Sequence, residues 1–193
     1  MVSLRPDIAL SGVTRPAAAQ QRYGAQAITR VTDSVSKYQF EDSLLAIKFL
    51  ALGDGVYFDL ENKTSFPLQI DWTQAAFVDP KGKSQAIMHA GMKYDDCIAR
   101  KAPSIIVAHT KLTDEIIPCD YVSRGQSGWS VDRYFEVGDG SVLSDAAPMI
   151  ADSLARALKG QTISVLLPIK TQDVVNDYTF TFEFLGVQVL KRR

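Results

Sequence analysis

The chain has 193 residues, 46% of them hydrophobic and 22% charged, enough for one domain to build a core without metal or disulfide staples. Its 21 basic and 22 acidic residues leave a formal net charge of −1, so no electrostatic attraction to nucleic acid or to an anionic membrane surface is expected. No apolar run approaches the roughly 18–20 residues a membrane helix needs, and no transmembrane segment is expected.

Residues 1–35 read as an extended N-terminal arm or leader. Pro6 and Pro16 interrupt regular hydrogen bonding because proline has no N–H. The run Arg15-Pro16-Ala17-Ala18-Ala19-Gln20-Gln21 has no sustained period, and Ile8, Leu10 and Val13 are isolated apolar residues. Met1 to Gly24 lacks the basic and apolar regions of a signal peptide. The chain is therefore read either as cytosolic or as having lost a leader.

From residue 36 to 193 the dominant pattern is alternation with period two, the mark of half-buried strands. Tyr38 and Phe40 alternate, then Leu45, Ile47 and Phe49, then Val56, Phe58 and Leu60. Gly53-Asp54-Gly55 is read as a turn that uses positive φ. Leu68, Ile70 and Trp72 form a further strand, Ala76 to Val78 another, and Asp79-Pro80-Lys81-Gly82 a turn before Gln85 to His89. Strands at Ser104 to Ala108 and Leu112 to Ile117 follow.

One segment carries helical spacing. Ser144 to Lys159 offers Ser144 as N-cap, Asp145 in the first turn and Gly160 just past the end. Ile150, Leu154, Ala157 and Leu158 recur on one face, with Pro148 near the start, where its missing N–H matters least. Then Ile163, Val165, Leu167 and Ile169 share a strand face, as do Tyr178, Phe180, Phe182 and Phe184. A polar hairpin loop is expected between Gln172 and Asp177, and a bulge or bend at Gly186. The basic end Lys191-Arg192-Arg193 reads as solvated. Many short strands, one helix and little room for parallel crossovers predict a mostly β, antiparallel Ig-like sandwich with one amphipathic helix, with a β-barrel as the alternative.

Catalytic patterns are lacking. Gly125-Gln126-Ser127-Gly128 misses the spacing of a nucleophile elbow. His89 and His109 are not at metal-ligand spacing from a cysteine or from each other. The adjacent pairs Asp95-Asp96 and Asp114-Glu115 would point to opposite faces of a strand, poor geometry for acid–base work. Gly53-Asp54-Gly55 and Gly138-Asp139-Gly140 open no phosphate-binding helix. No catalytic residue, metal or cofactor is assigned.

The candidate binding residues are aromatic. Trp129 lies in a polar loop where a large ring is hard to bury, and Tyr121 and Tyr134 lie near it in sequence. Trp72 shares a face with Leu68 and Ile70 and reads as core. Cys97 and Cys119 are the two cysteines. They are free thiols in a cytosolic protein and a candidate disulfide in an exported one.

The stretch Phe58-Asp59-Leu60-Glu61-Asn62-Lys63-Thr64, with Pro67 to Trp72, Phe77 to Ser84, Ala86 to Tyr94 and Ser104 to Pro118, resembles small bacterial envelope proteins with Ig-like sandwiches, many of them lipoproteins. The resemblance implies a fold and an envelope setting, periplasmic or outer-membrane associated, and carries over no catalytic residue. No lipobox cysteine stands near the start of this chain. The reading that follows is a non-enzymatic envelope protein docking on a partner in a secretion or surface assembly, with residues 1–35 as the element that orders on envelope partners. The alternative is a saccharide- or peptide-binding module using Trp129, Tyr134 and Tyr121, and the alternative compartment is the cytoplasm. An unfamiliar enzyme would need a pocket holding a histidine and a carboxylate.

Overall fold

The computed structural model describes residues 2–31, 37–97, 99–126, 128–135 and 146–191. In chain order the elements are β1 (Val2–Thr14), α1 (Ala17–Tyr23), β2 (Ala27–Arg30), β3 (Lys37–Glu41), β4 (Leu45–Ala51), β5 (Val56–Asn62) and β6 (Leu68–Ile70). Then come β7 (Ala76–Val78), β8 (Ser84–Gln85), β9 (Ile87–Met88), β10 (Ser104–Ile106) and β11 (Lys111–Pro118). Last are β12 (Val122–Gly125), β13 (Gly128–Val131), α2 (Ala147–Leu158), β14 (Thr162–Thr171) and β15 (Val174–Lys191). Single 3-10 turns cover Tyr94–Asp96 and Cys119–Tyr121.

Two antiparallel sheets hold most of these strands. The first runs β1-β15-β14-β6-β10, with β7 also on β14 and β8 on β7; the second runs β2-β3-β4-β5-β11-β9. Neither closes on itself, so the barrel alternative falls to a β-sandwich. The alternating strands predicted at 45–49 and 56–60 bury Leu45, Ile47, Phe49, Val56, Phe58 and Leu60 between the sheets. Phe49 packs on Phe180 at 4.7 Å and on Phe182 at 5.2 Å, and Phe40 meets Phe180 edge-on at 5.5 Å. Each such pair adds about 0.5–1.5 kcal/mol beyond its area burial.

Pro168 explains an irregularity. It lies inside the central strand β14, where a missing N–H would break a continuous ladder. The neighbour changes there: β7 pairs with Ser164–Leu166 and β6 with Ile169–Thr171. Between them the chain leaves the sheet as the turn 71–75, with Asp71 N–H donating to the Pro168 carbonyl at 3.1 Å. That excursion carries Trp72 into the core.

Over the described residues 2–31, the reading of residues 1–35 as an extended arm gives way to an integral strand and helix; residues 1 and 32–35 lie outside the described residues. β1 pairs with β15 along almost its whole length, from Val2↔Lys191 to Thr14↔Thr179. Val2, Leu4, Ile8 and Leu10 join the core. Pro6 is tolerated because β1 is the edge of its sheet. The second helix, α1, was also unforeseen; it follows Pro16 and stops at Gly24, whose φ is +66°.

A buried ion pair locks this segment down. Arg15 Nη1 meets Asp42 Oδ2 at 2.7 Å with side chains 2% and 0% exposed, and Arg15 Nη2 donates to the Gly24 carbonyl at 2.8 Å. Tyr178 donates to the same Asp42 oxygen at 2.8 Å, while Asp42 Oδ1 accepts from Leu44 and Leu45 N–H. Burial, then the Asp42 charge, raise the Tyr178 phenol far above its ordinary value, so it remains a donor.

Smaller corrections have local causes. The 172–177 loop shrinks to a turn at Gln172 and Asp173, because Asn176 is buried and bonds the Ile169 carbonyl. Gly53 and Gly55 do not have positive φ. Gly55 is needed for space instead, since a Cβ there would lie 3.3 Å from the Ile116 carbonyl oxygen. The helix α2 packs Ala147 and Ala151 with Ile150, Leu154 and Leu158 on the core, and Ala157 is exposed. Ser144, Asp145 and the Gly138–Gly140 turn lie outside the described residues, as do Arg192 and Arg193. The bulge near Gly186 is present, with Phe184 opposite Ile8 and Gly186 opposite Asp7.

Candidate functional site

After β9 the chain leaves its sheet and crosses residues 89–103 before β10, with one 3-10 turn in between. So short a supply of regular structure cannot hold a long segment, and a disulfide does so instead. Cys97 and Cys119 are bridged, with Cα atoms 5.8 Å apart. Cys119 directly follows β11, so the bridge ties the crossing segment to the second sheet. The free-thiol reading of the pair falls.

Beyond Cys119 the ribbon β12–β13 projects as a separate two-stranded hairpin. Gly125 pairs with Gly128, so the stretch weighed as a nucleophile elbow is a hairpin turn, of which Ser127 lies outside the described residues. The pairing sets Arg124 opposite Trp129. The Arg124 guanidinium sits over the indole, 5.7 Å from its centroid, and Tyr94 stacks on the same indole at 5.4 Å and 23°. Trp129 nonetheless stays 38% exposed.

The three aromatic candidates therefore part company. Trp129 is on the surface. Tyr134 is 6% exposed, its N–H bonds the Gly53 carbonyl, and its hydroxyl donates to the carbonyls of Leu52 and Gly55. Burial pushes that phenol well above its ordinary value. Tyr134 braces the β4–β5 turn and offers no contact surface, which corrects its assignment as a binding residue. Tyr121 is half-buried, edge-on to Tyr134 at 6.0 Å, with its hydroxyl 3.3 Å from Asp79 Oδ2. Tyr94 and Arg124 take their place beside Trp129. Arg124 was findable as the residue opposite Trp129 across a two-residue turn; Tyr94 depends on the disulfide and had no sequence signal.

The other face of the crossing segment carries a histidine. His89 stacks flat on Trp72 at 4.4 Å and 7°, and Trp72 Nε1 donates to Ser104 Oγ at 2.8 Å. His89 Nδ1 lies 3.4 Å from Asp114 Oδ2, within ion-pair reach but without hydrogen-bond geometry. Asp114 is fixed by Ala90 N–H and Glu115 N–H at its other oxygen, 2.7 and 2.8 Å away. Adjacent on β11, Asp114 and Glu115 fall on opposite faces of the strand; burial, then the Asp114 and Asp54 charges, raise the Glu115 carboxyl from its ordinary value. His109 is exposed in a turn with φ +58°.

Around His89 lies a cleft of about 470 Å³, lined also by Lys93, Asp96, Arg100 and Lys101. Arg100 and Lys101 also line a second recess of about 640 Å³ that reaches Asp71, Thr73 and Gln74. Lys101 Nζ donates to the Cys97 carbonyl at 3.1 Å, and burial lowers its pKa. Among the described residues, no three His, Cys, Asp or Glu side chains gather as a metal site, and no helix is long and apolar enough to cross a membrane. Comparison with known protein families, with characterised proteins and with solved structures finds no match to this chain.

Proposed function

We propose that this chain is a non-enzymatic docking protein of the bacterial envelope, whose contact face is the disulfide-braced Trp129–Tyr94–Arg124 cluster. One observation carries the reading: the indole stays exposed while a phenol ring stacks on it and a guanidinium lies over it. Trp, Tyr and Arg are the residues that dominate protein–protein hot spots, because each combines a large apolar surface with hydrogen-bonding capacity. Packed against one another before any partner arrives, they lose little side-chain freedom on binding. The disulfide supports an oxidising compartment, periplasmic or outer-membrane associated. A place in a secretion or surface assembly is the setting this reading favours. With β1 built into the sandwich, residues 1–35 no longer serve as the docking element.

The saccharide alternative is less well supported by the same geometry. A sugar stacks its apolar face on an open ring, and this indole already has two neighbours against it. The test is crosslinking capture from native envelopes with wild type, Trp129→Ala and Arg124→Ala. A defined adduct that weakens in both variants supports docking. Equal capture by all three, with folding unchanged by circular dichroism, contradicts it.

A further inference from the structure

We propose that the cleft walled by Arg100, Lys101 and His89 binds the phosphate or carboxylate group of a small-molecule ligand, at a site that shares no lining residue with the Trp129–Tyr94–Arg124 cluster but is built on the same disulfide-held segment. Arg100 and Lys101 stand at the junction of two recesses of about 470 and 640 Å³, room for an anionic group and a polar remainder. Lys93 adds a third cation to the first recess against one carboxylate, Asp96. Among the described residues none of these three cations makes a salt bridge.

Lys101 is the telling group. It is half-buried, its hydrogen bond goes to a carbonyl, and burial disfavours its charge with no carboxylate to offset the loss. A partly desolvated ammonium in that position gains from an incoming anion, because charge-assisted bonds strengthen as water is excluded. The walls are fixed beforehand. The disulfide sets the Cys97 carbonyl that holds Lys101, and Thr73 Oγ1 bonds the Lys101 carbonyl at 3.2 Å. His89 is immobilised by its stack on Trp72. In the second recess Asp71 is turned onto its own loop, accepting from Thr73 N–H and from Gln74 Nε2. With those donors engaged, Gln74 Oε1 and the Thr73 hydroxyl oxygen are the acceptors offered to the uncharged part of the ligand.

The experiment is an NMR amide titration of the full chain with inorganic phosphate and, separately, with succinate, at constant ionic strength. The site predicts saturable shifts centred on residues 89–103, from phosphate or from succinate; whichever saturates first names the preferred group. Arg100→Ala and Lys101→Gln weaken that binding about tenfold or more. Lys48→Ala, which removes an exposed cation from β4, leaves it unchanged. Arg100 is exposed, so its variant tests the site without threatening the fold. Shifts that rise linearly and spread over all basic residues, an equal loss in Lys48→Ala, or no saturable response to either probe overturns the proposal.

Discussion

At the turn after β3, Asp42 directs both carboxylate oxygens inward, to Arg15, Tyr178 and two backbone N–H groups, and nothing of the cluster faces solvent. On the flank held by Cys97–Cys119, Trp129 stays exposed and Arg100 and Lys101 line open recesses. Both regions concentrate polar and aromatic side chains. In the first, the two charges are paired inside the chain, as buried charges must be. In the second, groups are held in place by packing and a covalent bridge, yet keep their recognition surfaces outward. Satisfied charge marks architecture; preorganised, unsatisfied charge marks a place where another molecule fits.

The contrast breaks hardest at Asp42. Asp42→Ala strands a buried guanidinium, and it should cost about 3–5 kcal/mol in urea unfolding. A loss no larger than that of a surface substitution would mean Arg15 is not held inside, and the N-terminal strand would be less integral than described. Reduction of Cys97–Cys119 comes next. Releasing a bridge with a sequence separation of 22 should cost about 3 kcal/mol in the chain-entropy estimate, and loosen both the Tyr94–Trp129 stack and the Lys101 anchor. The matching check is near-ultraviolet circular dichroism of Trp129 before and after reduction.

The smallest effect concerns Glu115. Burial raises its carboxyl in the fold above the ordinary 4.5, so the ionised form is the destabilising one. That penalty is absent below the unfolded value and complete once the pH exceeds the folded value. Glu115→Gln should therefore raise the melting temperature at neutral pH, and its advantage should vanish as the pH falls through the carboxylate range. An advantage that persists in acid would assign the gain to packing.

Much of the sandwich was legible because its central strands alternate cleanly: Leu45-Ile47-Phe49 and Tyr178 to Phe184 could face only a core. β1 was not, because Ser3, Arg5, Pro6 and Asp7 dilute its pattern and its partner lies at the other end of the chain. No local window shows that Leu4 will meet Val189. The cluster of Arg15, Asp42 and Tyr178 escaped for the same reason, since ion pairs between distant residues leave no periodic trace. At the candidate site, Trp129 stood out as a large ring in a polar loop. Tyr134 misled because its neighbourhood is polar too, but its hydroxyl closes the Leu52–Gly55 turn from across the fold. Tyr94 reaches Trp129 through a segment that a disulfide positions, which spacing alone does not reveal.

The docking account rests on Trp129 being open in the free protein and covered in the complex, and acrylamide quenching reads that directly. Trp72 is fully buried and serves as an internal unquenched reference beside Trp129. We predict that Trp129 is quenched in the isolated chain, and that it becomes protected and blue-shifted on adding the solubilised envelope fraction but not oligosaccharides. Quenching unchanged by the envelope fraction, or protection by oligosaccharide alone, would contradict the account.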